Sequence, residues 1–147
     1  MSQKPEYYYN QSGVIPFRVV NGEIKILLIT SRRKKHWVIP KGIIEENFDP
    51  RESAIKEAHE EAGIIGTIIP SSSGKYSYTK WGGICNVEVY LMEVTEILDD
   101  WPESHRERKW FSLNEAGKVL KHQELGELFR TIPDEINHYK EMFIEKK

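Results

Sequence analysis

Glu57, Glu60 and Glu61 are the residues whose type and spacing point most directly to chemistry. They sit in "RESAIKEAHEEAG", residues 51–63. On a helical wheel of ~100° per residue, Glu60 and Glu61 flank Glu57 in one sector, and Ile55, Ala58 and Ala62 fall roughly opposite. One face is then small and apolar, suited to close packing on a sheet. The other crowds three carboxylates, which repel by roughly 0.2–0.5 kcal/mol per exposed pair one turn apart. A hard divalent cation removes that repulsion and takes carboxylate oxygens as ligands. The competing reading is a solvated face, because Glu, Lys and Arg favour helices and Glu52–Lys56 is a favourable i,i+4 pair.

The preceding segment favours a site. "PKG", residues 40–42, follows a short apolar run. Gly42 lets the backbone approach a ligand and offers a carbonyl to a metal, and Lys41 can face a phosphate. Upstream, "SRRKKH" at 31–36 places four basic residues and His36 at a strand end. A basic patch beside an acidic cluster makes sense if a magnesium-bound polyphosphate lies between them. A plain basic surface turn is the alternative, and for His36 a surface position is the default.

The elements that must hold these groups read as follows. "GVIPFRVV" and "EIKILLITS" are strands joined by a tight Asn21-Gly22 turn, and "HWVIP" is a third short run. "KGIIEENFD" reads as a loop into a helix capped by Asp49, Pro50 and Glu52 and stopped by Gly63. "GTIIP" reads as a short strand and "SSSGKYSYTKWGG" as a polar loop or loose hairpin. "ICNVEVYLMEVTEI" alternates with Cys85, Val87, Val89 and Leu91 on one face, which makes Cys85 a small core residue. After the polar "DDWPESHRER", "KWF" is a short strand whose Trp110 and Phe111 close the core. Ser112 and Glu115 form a capping box for "LNEAGKVLKH", and a last helix from about Asp134 to Glu145 aligns Ile136, Tyr139 and Phe143. Strands and helices interleave without a regular βαβ repeat, which indicates an α/β sandwich around a mixed sheet.

The 147 residues suit one domain. At 39% apolar and 30% charged, with a net charge of -2, the chain has no polybasic signal for DNA or a membrane surface. A single cysteine excludes an internal disulfide and fits a cytoplasmic address. No apolar run approaches the ~20 residues of a membrane span. The start, "MSQKPEYYYN", lacks the pattern of a signal peptide.

Residues 42–64, "GIIEENFDPRESAIKEAHEEAGI", resemble the Nudix box: glycine, five residues, glutamate, seven residues, then R-E-U-x-E-E-x-G-U, with U a bulky aliphatic. Gly42, Glu57, Glu60, Glu61, Gly63 and Ile64 match. Phe48 replaces the first glutamate, Lys56 the arginine, and Ala58 is a small U. The resemblance covers most of the chain. It is nearest to the diphosphoinositol polyphosphate and diadenosine polyphosphate phosphohydrolase branch, through "FR" at 17–18, "SR" at 31–32, Trp37 and residues 94–120. It implies a Nudix-type α/β/α sandwich in one domain, 1–147, with an N-terminal tail of about residues 1–10 and C-terminal helices.

The implied activity is magnesium-dependent hydrolysis of a phosphoanhydride bond in a nucleoside or inositol diphosphate derivative, with Mn2+ as a possible substitute metal. The resemblance assigns Gly42, Glu57, Glu60 and Glu61 to metal, and Glu57 or Glu60 to general-base catalysis. Glu88, Glu103 and Glu107 are later acids that could add a ligand or base. It assigns Arg18, Ser31 and Arg32 to the phosphates, and Arg33, Lys34 and Lys41 are further cations expected to bind the outer phosphates. Trp37 and Trp81 have the size to stack a base, with buried packing as the competing reading. In the family the arginine supports a catalytic glutamate by an ion pair, which Lys56 can do with less directional control. Glu45 or Glu46 could replace the carboxylate lost at Phe48. Expected partners are a small phosphorylated substrate and neither DNA nor membrane, in a monomer or homodimer. Phe48 and Lys56 keep open a non-catalytic Nudix-fold domain that binds a nucleotide or phosphoinositide.

Overall fold

The computed structural model describes residues 4–145, with the side chains of all but 71–73 and 142–145. A seven-stranded mixed sheet is built from β1 (Asn10–Val20), β2 (Glu23–Thr30), β3 (Trp37–Val38), β4 (Lys41–Ile43), β5 (Ile64–Lys80), β6 (Gly83–Ile97) and β7 (Arg108–Ser112). Its main path runs β3-β2-β1-β6-β5; β4 adds to β1 and β7 to β2. Among the described strand pairs β1/β6 is the parallel one, joining Asn10–Phe17 to Asn86–Glu93.

The opening for a site comes from how β1 shares one edge. Phe17–Val20 pair with β2, whereas Gln11–Gly13 pair with β4. The sequence reads as loop over β4, because three residues carry no visible period. The free edge of β1 recruits their backbone groups.

The helix α1 (Pro50–Ala62) has the expected boundaries. Asp49 accepts from the Glu52 N–H, Glu52 accepts in return from the Asp49 N–H, and Gly63 closes the helix at φ 64°. Its buried stripe is Ala54, Ala58 and Ala62, all fully inaccessible, against Val14, Leu27, Ile29 and Met92. Ile55 departs from the expected apolar face and is 43% exposed. The sheet approaches so closely that only alanines fit, and the packing stripe is rotated toward Glu57 and Glu61.

The opposite sheet face carries the larger core, including Ile15, Phe17, Val87, Val89 and Leu91. It is covered by α2 (Leu113–Val119), a 3-10 turn at Gln123–Leu125, α3 (Gly126–Phe129) and α4 (Ile132–Glu145). Helices on both faces make the expected α/β/α sandwich. Cys85 is buried in this core, as its alternation implies.

Strand β5 continues past the expected short strand into a hairpin with β6, the hairpin alternative for 71–83 rather than the loop, with Trp81 and Gly82 at positive φ in the turn. Tyr76 and Tyr78 alternate inward and are buried. Helix α2 ends at Val119, because Leu120 turns extended and bridges Trp37. In α4, Ile136 is buried and Tyr139 packs against the same core, while the Phe143 side chain lies outside the described residues.

Candidate active site

Strand β4 lies along the acidic seam of α1. The Lys41 N–H donates to Glu61 Oε1 at 3.1 Å. A Cβ on Gly42 would stand 2.4 Å from the Glu57 carboxyl carbon, so the bare backbone of residue 42 seats that carboxylate. Glu57 and Glu61 are therefore half-buried between β4 and the cleft. Burial raises both carboxyls well above the usual range; Glu60 and Glu103 add to the effect at Glu57, while Arg106 opposes it at Glu61. Glu57, Glu60 and Glu61 are all partly buried along this seam, unlike Glu52 at the start of the helix, which is exposed.

Glu60 sits at the rim, 3.4 Å from the Lys56 ammonium. Lys56 also donates to the Glu45 carboxylate. Of the two acids that could replace the carboxylate missing at Phe48, Glu45 is the one in contact. Its N–H is held by Ser53 Oγ at 3.1 Å.

The 98–107 loop closes the seam. Arg106, 7% exposed, donates from Nε and Nη2 to Glu103 Oε1 at 3.1 and 3.0 Å and from Nη1 to the Thr30 carbonyl at 3.0 Å. Its Nη2 lies 3.6 Å from Glu61 Oε2. One buried cation thus sits between two carboxylates. Sequence reasoning missed Arg106, which lies in an ordinary polar loop and is defined only by tertiary contacts.

These groups line one cleft of about 1310 Å³, which contains Glu57, Glu60, Glu61 and Glu103. Of the later acids, Glu103 alone lines it; Glu88 faces Lys75 and Tyr90, and Glu107 continues from the Thr30 backbone contact. Among the phosphate-binding candidates, Ser31, Arg32 and Lys41 line the cleft. Ser31 Oγ accepts from the Lys35 and His36 N–H groups and so shapes the basic turn.

Arg33 and Lys34 are exposed on that turn and do not line the cleft; Lys34 has a left-handed backbone at φ 59°. His36 is likewise exposed. Arg18 is not brought to the cleft either: it pairs with Lys25 far along β1 and stacks 4.1 Å over Trp110. Trp37 packs edge-on to Phe111, in keeping with its packing reading.

Lys41 bridges the two cores. Its Nζ donates to Tyr78 OH at 2.7 Å and Gln11 Oε1 at 3.3 Å, and Tyr78 OH donates to the same Gln11 oxygen at 2.9 Å. Burial, then Lys80, push the Lys41 ammonium down to about 8.

Among the described residues no three carboxylate, imidazole or thiol groups already converge as a metal-ion site. Lys56 and Arg106 instead divide the acids among themselves. The donor set still suits a hard divalent cation: oxygen ligands, two half-buried carboxyls raised together, and a backbone seat with no Cβ.

Fold and cleft together define an α/β protein that can hold a polyanion between carboxylates and lysines. The chain belongs to the Nudix hydrolase family: the model of the NUDIX domain matches residues 10–132. Nudix hydrolase 16, mitochondrial, of Arabidopsis thaliana is 34% identical over 76% of this chain and 72% of its own length. Diphosphoinositol polyphosphate phosphohydrolase 3-beta of Bos taurus is 32% identical over 80% of this chain and 72% of its own. A C. elegans Ap4A hydrolase in binary complex superposes with a TM-score of 0.77 at 28% identity, covering 88% of this chain and 98% of that one. Nudix hydrolases generally use a divalent metal.

Proposed function

We propose that this chain hydrolyses a phosphoanhydride bond in a nucleoside or inositol diphosphate derivative, with Mg2+ as its metal and Mn2+ as a working substitute. The observation that carries the reading is the single cleft in which Glu57, Glu60, Glu61 and Glu103 face Arg32 and Lys41. The relatives named for diphosphoinositol polyphosphates and Ap4A support that substrate range.

Glu57, Glu60, Glu61 and the Gly42 carbonyl would hold the metal. Once bound, it supplies charge neutralisation at the phosphoryl oxygens and acidifies coordinated water. Ser31, Arg32 and Lys41 orient the phosphate chain, Arg32 by a bidentate contact and Lys41 as a point charge. Glu57 or Glu60 accepts the proton of the attacking water. Arg106 sits between Glu61 and Glu103, holds both carboxylates and offsets their mutual repulsion. Arg33, Lys34 and Arg18 have no part in this reading.

Among the described residues no helix is long and apolar enough to cross a membrane. Buried, unpaired Cys85 supports a reducing compartment, such as the cytoplasm.

The test is product mass after incubation with Mg2+ and either a diadenosine polyphosphate or a diphosphoinositol polyphosphate. Turnover of at least one is expected, with Glu60→Gln and Glu61→Gln each lowering kcat by about 100-fold or more. A wild-type protein that binds both and cleaves neither establishes the non-catalytic alternative.

A further inference from the structure

The same cleft has a second end that the acidic seam does not use. Tyr7, Tyr8 and Trp81 line it together with the carboxylates. The family match begins at residue 10, so Tyr7 and Tyr8 lie outside the shared domain. They sit on a 3-10 turn, Glu6–Tyr9, which ends where β1 begins.

The three consecutive tyrosines divide their work. Tyr9 is the anchor: its OH donates to the Trp81 carbonyl at 2.8 Å, and its ring covers Gly83 so closely that a Cβ there would clash. Gln11 Nε2 donates to the Tyr8 carbonyl at 3.2 Å and fixes the turn to β1. The rings of Tyr7 and Tyr8 are left on the cleft wall, 4.9 Å apart, with Tyr8 edge-on to Trp81 at 5.5 Å. Tyr7 is 58% exposed. Trp81 adopts φ 54° in a hairpin turn where asparagine or glycine is the usual choice. A bulky side chain at that position is unfavourable for the turn and calls for another use.

A line of cations connects this mouth to the acids. Lys80 Nζ lies 4.6 Å over the Trp81 ring. Lys80 and Lys121 both bear electrostatically on Lys41, whose N–H holds Glu61. All three lysines line the cleft.

We propose that Tyr7, Tyr8 and Trp81 form a nucleobase-stacking subsite, with the phosphates of the same ligand running over Lys80, Lys121 and Lys41 toward Glu61. The substrate class is then a nucleoside polyphosphate; an inositol polyphosphate presents no planar π face to such a wall. This choice of class rests on the hydrolase reading above, whereas the subsite itself is tested by binding alone.

The experiment is calorimetric titration of the full-length chain with ADP and, separately, with pyrophosphate, both with Mg2+. Tyr8→Ala is expected to weaken ADP by about tenfold, with a smaller loss for Tyr7→Ala, and Tyr8→Phe should retain wild-type affinity. Pyrophosphate affinity should move less than about twofold in all three. Parallel weakening of both ligands, or no weakening of ADP, overturns the subsite. Absence of turnover on any substrate overturns the hydrolase reading instead and leaves the ADP preference to stand or fall on its own.

Discussion

Lys56 contacts Glu45 and Glu60 at once, with the Phe48 ring 5.7 Å from its ammonium. Phe48 stands where the Nudix box has a glutamate, and the carboxylate in contact with Lys56 here comes from Glu45, three residues upstream. Ser53 holds the Glu45 backbone and keeps that replacement in place. Glu45→Gln removes one of the two anions that fix Lys56, and Lys56 then follows Glu60 alone. Steady-state kinetics should show kcat reduced by about threefold with KM little changed, because solvent screens this exposed pair and keeps its effect small. Adding Phe48→Glu to that variant should restore most of the rate by returning a carboxylate to the family position. A Glu45→Gln protein with undiminished kcat would show that Lys56 needs no second anion.

At the level of elements, the acidic helix α1 is held by its C-terminus. The last carbonyls of α1 lack partners within the helix. Here Glu103 N–H donates to the Glu60 carbonyl at 3.0 Å and Trp101 Nε1 to that of Glu61 at 3.0 Å. Arg108 Nη1 donates to the carbonyls of Ala62 at 3.1 Å and Leu98 at 2.9 Å, its guanidinium stacked 3.8 Å over Trp101. A cation here also complements the helix dipole. Arg108→Leu leaves those carbonyls short of a donor and should lower the unfolding free energy by about 2 kcal/mol in a urea titration. An unchanged midpoint would show that water serves as well.

None of this clamp is legible in "DDWPESHRER", because loop-to-helix contacts have no sequence period. What was legible is local: the Asp49–Pro50–Glu52 start, the Gly63 stop, the Asn21-Gly22 turn and the Cys85–Leu91 alternation. The common sector of Glu57, Glu60 and Glu61 was legible too, although its relation to the sheet was not. Ile55 faces solvent because close approach selects the alanines, and Arg18 leaves the site because Trp110, nearby only through sheet pairing, takes its guanidinium.

Across the whole molecule, the cleft joins the two cores, and His122 marks the junction. Its ring lies 4.3 Å from Tyr78 and 6.0 Å from Tyr76, on the side of the C-terminal helices. Burial first, then Lys41 and Lys121, push the imidazole down to about 4, with Lys80 acting in the same direction and Glu124 against it. The ring is therefore neutral in the folded chain at pH 5–7. The unfolded chain takes up a proton near pH 6.5. Between about 6.5 and 4 the unfolded state binds more protons at this residue, so its contribution to stability is intact above pH 6.5 and falls as pH drops toward 4. The raised carboxyls of Glu57 and Glu61 act in the opposite sense over neighbouring pH, so the comparison must be between proteins rather than along one curve. Urea unfolding at pH 7 and pH 5 should show wild type losing more stability than His122→Gln, by about 1 kcal/mol once the half-exposed ring is discounted for solvent screening. Equal losses in the two proteins would exclude the imidazole as the source and place the acid sensitivity elsewhere in the fold.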